Sequence, residues 1–108
     1  MLKIKEKEQV CINALEETCK KYEMENDYCL GSPSEQKVCI LKKDDNWEVF
    51  IVERGVEFDK TKHKECMDAC IQVLKLCSYC KDEFNDSSNE FKNILLKHKI
   101  KVIKKSVK

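Results

Sequence analysis

The sequence predicts an α+β fold: an N-terminal helix, a three-stranded antiparallel meander, and two C-terminal helices packed on the sheet. Three observations lead there. Over residues 6–24 apolar side chains recur every three or four positions, through Val10, Cys11, Ala14, Leu15, Cys19 and Tyr22, the period of an amphipathic helix. Residues 37–63 instead fall into three short runs separated by Asp44-Asp45-Asn46 and Arg54-Gly55, residues that tolerate turn backbones. From about Glu65 the helical spacing returns, with Cys66, Cys70, Val73, Cys77 and Cys80 at steps of four, three, four and three.

The first helix should end near Glu25-Asn26-Asp27, and Leu30-Gly31-Ser32-Pro33-Ser34 then reads as a loop. The first strand is expected over Lys37 to Lys43 and the second from Trp47. Both are apolar at both parities, so something must cover or visit each face of the sheet. Trp47-Glu48-Val49-Phe50-Ile51-Val52 is the more apolar and belongs in the middle. The third run, Val56 to His63, is more polar and suits an edge strand guarded by lysines. Residues 81–86 read as a loop. Ser87 with Glu90 three positions on resembles a capping box that opens a last helix, whose face is Phe91, Ile94, Leu95 and His98.

A chain of 108 residues makes one domain, 1–108, with a single core. Its lysine-rich ends, 1–6 and about 100–108, are expected to fray. The formal net charge is +1, but residues 8–96 hold 12 basic groups against 19 acidic ones, a central charge of −7. An acidic body steers a basic partner and repels a phosphate backbone, and a merely solvated surface with frayed lysine ends is the equal alternative. The terminal lysines come without the arginines and interleaved aromatics that read or stack on bases, which argues against nucleic acid. No apolar run approaches the roughly 18 residues of a membrane span, and MLKIKEKEQV has charge where a signal peptide needs an apolar core. A cytoplasmic protein without membrane contact is expected.

In a reducing cytoplasm the eight cysteines are expected to stay as thiols. A single-helix zinc site fails on length. Cys66 and Cys80 are fourteen residues apart, about 21 Å at the helical rise, and cannot share one tetrahedral metal. A core-facing stripe of small hydrophobes is the better account, while a split site joining Cys77 and Cys80 to Cys29 or Cys39 stays open as the structural zinc alternative. The two histidines, His63 and His98, sit in no constellation with a nucleophile, and two glycines leave nothing from which to build a phosphate-cradling loop. Neither enzyme activity nor a cofactor is expected.

Tyr28-x-Leu30-x-Ser32-Pro33, Cys39-Ile40, Trp47-Glu48-Val49-Phe50, Glu53-Arg54-Gly55 and Asp68-Ala69-Cys70 together resemble a group of small bacterial immunity proteins that neutralise polymorphic or contact-dependent toxins. In that group a leading helix precedes an antiparallel sheet with central strand W-E-V-x-x-x-E-R-G, and a helix near E-A-C packs across it. The resemblance covers roughly residues 12 to 80. The helix from Ser87 onward lies outside the pattern, and His63 stands where an aromatic residue is expected. The resemblance implies a protein that binds a cognate toxin domain, for which an acidic surface suits a basic nuclease; the fold itself is expected as a compact monomer or weak homodimer. A regulatory or nucleic-acid-associated protein using its lysine-rich ends is the alternative.

For such an inhibitor the candidate partner-binding residues are Asp44, Asp45, Phe50, Glu53, Arg54, Glu57 and Asp59, an acidic rim beside one aromatic anchor. Arg54 has a second reading, as an internal partner of Glu48 or Glu57 that pins the turn at Gly55.

Overall fold

A computed structural model describes the backbone over residues 4–77 and 83–107 and the side chains over 4–77 and 84–97. The expectations for Cys80 and for the His98 side chain lie outside these residues. The elements run α1 (Glu6–Lys21), β1 (Tyr28–Leu30), β2 (Val38–Lys43), β3 (Asn46–Glu53), β4 (Val56–His63), α2 (Cys66–Cys77) and α3 (Glu83–Val107). The fold class is α+β, as the sequence predicts.

The meander expectation needs correcting. The sheet has four strands in the order β1-β2-β3-β4, and β1 pairs parallel to β2 while the other two pairings are antiparallel. Parallel neighbours normally need a crossover of a dozen residues or more. Residues 31–37 suffice here because the chain need only retrace a three-residue strand, about 10 Å. Gly31, with φ of 88°, starts that return, and its N–H donates to the Ile40 carbonyl at 2.9 Å.

The two hairpins follow from local chemistry. Lys43 pairs with Asn46, which leaves Asp44-Asp45 as a two-residue turn with Asp44 at φ of 57°. Glu53 pairs with Val56, and both turn residues, Arg54 (φ 53°) and Gly55 (φ 75°), are left-handed, the signature of a type I′ hairpin. Between β3 and β4 the register shifts: Val49 faces Thr61 but Ile51 faces Phe58, so Asp59 and Lys60 together oppose Phe50. This β-bulge on the edge strand sits at Asp59, whose φ is 55°.

The helices lie on one side. Trp47 and Val49 of β3 and Val38 and Ile40 of β2 join the main core with Leu15 and Cys19 of α1, Cys70, Val73 and Leu74 of α2, and Phe91 and Leu95 of α3. The opposite face holds a separate small cluster, Cys39, Phe50 and Val52, flanked by Cys29 and Leu41 and containing no helical residue. α2 lies across the strands, whereas α3 packs on α1 and α2, so only one of the two C-terminal helices is laid on the sheet as expected.

Two helix ends differ from the sequence reading. α1 closes with Glu23 at φ of 58°, the Glu23 N–H reaching the Lys20 carbonyl (3.3 Å) and the Met24 N–H the Cys19 carbonyl (2.7 Å). This is a Schellman end made without the usual glycine. α3 begins at Glu83 rather than at Ser87 and runs to Val107. Ser87 is a buried interior residue whose hydroxyl donates to the Phe84 carbonyl at 3.3 Å, and Glu90 pairs with Lys21 of α1 at 3.1 Å.

One carboxylate ties α1 to the sheet. Glu8, at the third position of the helix, accepts the Lys5 backbone N–H (2.9 Å), the Lys42 ammonium (2.8 Å) and the Trp47 indole N–H (2.9 Å). Lys42 and Glu8 keep only 9% and 16% of their side chains exposed, so this pair escapes most of the screening that makes surface ion pairs weak. Burial pushes the Glu8 carboxyl up, but the bonds from Lys42, the Lys5 amide and Trp47 outweigh it and hold the group at about 2.

Because the folded value lies below the ordinary 4.5, the stability Glu8 contributes is complete above that pH and is lost as pH falls towards about 2. Glu8→Ala leaves the buried Trp47 N–H without its acceptor and is expected to cost roughly 2–3 kcal/mol. Urea melts at pH 7 and pH 3 should show the difference between wild type and variant narrowing at the lower pH. A pH-independent difference would contradict this account of Glu8.

Candidate functional site

The residues singled out in the sequence are placed at two ends of the sheet. Asp44 and Asp45 form the β2–β3 turn, and Glu53, Arg54, Glu57 and Asp59 cluster around the β3–β4 turn. The full length of β3 separates the two groups, seven residue steps or about 23 Å. They do not form one rim.

Phe50 is 1% exposed and cannot anchor a partner as it stands. It belongs to the small cluster on the helix-free face, beneath the Lys60 ammonium, which lies 5.1 Å from the ring centroid. The bulge places Lys60 there. Its ammonium pairs with Glu57 at 2.8 Å and with buried Glu48 at 3.3 Å, and the bond it donates to Glu57 is foremost in raising the pKa of Lys60. Lys60 thus occupies the position that the sequence reading gave to Arg54, between Glu48 and Glu57. Among the described residues the Arg54 side chain has no ion pair.

What holds the β3–β4 turn is Glu35, a residue of the crossover segment that sequence reasoning passed over. Its carboxylate accepts the Arg54 N–H through one oxygen and the Gly55 N–H at 3.1 Å through the other. Consecutive left-handed residues point their amides the same way and form a small anion-binding nest. The adjoining chain is also docked. The Gln36 N–H donates to the Val52 carbonyl at 2.7 Å, and the Ser34 N–H approaches the Cys39 sulfur at 3.4 Å. The only sequence signal for this arrangement was an acidic residue in a loop, and distance in sequence concealed its target.

Apolar groups do stand open near this turn. Val56 and Phe58 of β4 are 53% and 46% exposed, and their register partners Glu53 and Ile51 place them on the helix-bearing side. Half-buried Thr61 and His63, whose side chains meet at 2.8 Å, lie towards the other end of the strand. Beside the exposed end lies an open depression of about 620 Å³, lined by Val38, Ile51, Leu76 and Cys77 and by Asp27, Glu53, Asp59 and Lys37. Its charged lining is three carboxylates against one ammonium, a setting for a basic group on an apolar stem.

Beyond Cys11 and Cys19, buried on α1, the described cysteines occupy three places. Cys66 and Cys70 are buried against α1, where the Glu8 and Cys11 carbonyls approach their sulfurs at 3.7 and 3.8 Å. Cys77 approaches the Asp27 carbonyl at 3.9 Å, and burial pushes its thiol up to about 12. Cys29 and Cys39 are neighbours on the helix-free face, so the split site that would join Cys77 to either of them is divided by the sheet. Among the described residues no group of three or more His, Cys, Asp or Glu side chains is arranged to hold a metal ion, and no helix is long and apolar enough to cross a membrane.

The Glu35 contact predicts an unequal pair of substitutions. Glu35→Ala should lower stability by about 1–2 kcal/mol in urea unfolding, since both lost bonds are to a charged acceptor at an exposed site. Arg54→Ala should change it by less than about 0.5 kcal/mol, because Arg54 contributes its backbone. The reverse order would restore an ion-pairing role to the Arg54 side chain. No family model matches this chain, and no curated protein or solved structure matches it either.

Proposed function

We propose that this chain is an immunity protein of the cytoplasm, which neutralises a cognate bacterial toxin domain by binding it and performs no chemistry of its own. The observation that carries the reading is the bare end of β4. There two large apolar side chains, Val56 and Phe58, stand exposed beside a depression lined by Asp27, Glu53 and Asp59. Apolar anchors bordered by predominantly acidic charge are the ingredients of a protein-binding surface, the charge steering encounter and the anchors slowing release. A basic partner fits this surface, as a nuclease toxin would. The toxin assignment itself draws on the likeness of Trp47-Glu48-Val49 and Glu53-Arg54-Gly55 to the immunity-protein strand.

The proposed anchor is Phe58 rather than buried Phe50, with Glu53 and Asp59 as its acidic flank. Glu57 is engaged by Lys60, and Asp44 and Asp45 lie at the far end of β3.

The test is co-expression with the toxin domain encoded directly upstream of its gene, followed by co-purification and a binding titration. Tight binding with restored growth is expected. Phe58→Ala should weaken it by about 30-fold or more, as for a central anchor. Glu53→Gln with Asp59→Asn, the latter keeping a residue that tolerates φ of 55°, should slow association at low salt and matter little at high salt. Asp44→Asn with Asp45→Asn should leave binding unchanged. Absence of binding to that neighbour would overturn the function, and binding indifferent to Phe58 would move the interface elsewhere.

A further inference from the structure

We propose that Cys29 and Cys39 are a built-in oxidation site, a thiol pair that a hydroperoxide converts reversibly into a disulfide between β1 and β2. The two residues are direct register partners on adjacent parallel strands, both on the helix-free face. Such partners have Cα atoms about 5 Å apart, inside the range a disulfide spans. Their sulfurs already meet at 3.1 Å, so a bond requires an approach of about 1 Å and no change of strand register. Two further sulfur contacts, Cys66 with Cys70 at 3.9 Å and Cys66 with Cys11, join residues that are all buried on helices of the main core.

The two thiols are unequal in a way that orders the reaction. Cys29 is half-exposed on a three-residue edge strand, open to a small oxidant. Cys39 is buried, and that burial, followed by the contact with Cys29, pushes its thiol up to about 11. Cys29 therefore reacts first. Its sulfur attacks the peroxide, an S–O bond forms as the O–O bond breaks, and one water leaves with Cys29 as a sulfenic acid. The Cys39 sulfur then attacks the Cys29 sulfur and displaces the oxygen as a second water. Two thiols and one hydrogen peroxide give one disulfide and two waters, with two electrons passing from sulfur to oxygen. The ring so closed runs from residue 29 to residue 39 and encloses the crossover segment that carries Glu35 to the β3–β4 turn.

This inference is independent of the toxin reading, and its test needs only the full chain. The reduced protein is treated with one equivalent of hydrogen peroxide, quenched with an alkylating agent, and digested with trypsin without reduction. The expected product has lost two hydrogens, joins the peptide of residues 22–37 to that of residues 38–42, and returns to separate peptides with dithiothreitol. Its melting temperature should rise by roughly 5–10 °C, since the link shortens the unfolded chain. In Cys29→Ser the linked peptide should vanish, with no loss of two hydrogens at one equivalent. Peroxide consumption without that linked peptide, linkage concentrated at other cysteines, or an unchanged loss of two hydrogens in Cys29→Ser would each overturn the proposal. The wild-type result decides it even if a variant folds poorly.

Discussion

Strand β3 buries side chains on both of its faces, yet all three helices lie on one side of the sheet, with α2 laid directly across it. Much else in the molecule answers this asymmetry. Leaving Phe50 and Val52 open to water would forgo the roughly 1.5–3 kcal/mol that burial of each such side chain contributes. A domain of this size, with one modest core, depends on terms of that magnitude. The chain closes the second face with its own short segments. Residues 31–37 turn back from β1, bring Ser34 to Cys39, and place Glu35 on the β3–β4 turn. The β4 bulge brings Lys60 over the Phe50 ring, with Glu48 and Glu57 holding its charge. The thin cover is polar outside and apolar beneath.

The other face is organised by a single long-range contact. Glu8 lies 34 residues from Lys42 and 39 from Trp47, and it meets both while also capping its own helix. One carboxylate thereby fixes where α1 starts, which strands it lies beside, and how the Trp47 indole is turned. Removing it leaves several donors unmatched at once, which is why its worth exceeds that of an ordinary surface ion pair.

Local signals in the sequence located most elements and missed those defined by distant partners. The period of α1, the turn formers at Asp44-Asp45 and Arg54-Gly55, and the doubly apolar strand from Trp47 are all legible because each is written within a few residues. β1 was not legible: three residues beside a glycine- and proline-containing loop carry no strand pattern of their own, and only the parallel ladder with β2 makes them a strand. Glu23 ends α1 in a conformation where glycine is the usual signal. Ser87 and Glu90 imitate a capping box inside a helix that begins earlier. The candidate site suffered in the same way. Phe50 looked like an anchor because nothing local reveals Lys60 above it, and Phe58 was overlooked because the bulge at Asp59 hides which end of β4 stays uncovered.

Residues 31–37 are a docked layer of the sheet, held by the Gln36 and Glu35 contacts. Amide hydrogen exchange on the isolated full chain tests this docking most directly. The Gln36 N–H, bonded to the Val52 carbonyl, and the Arg54 and Gly55 N–H groups, bonded to Glu35, should be protected although all three residues are exposed at the surface. Exchange of these three amides at the rate of an unstructured peptide, while the amides between β2 and β3 stay protected, would contradict it. The second face of the sheet would then be uncovered in the free protein.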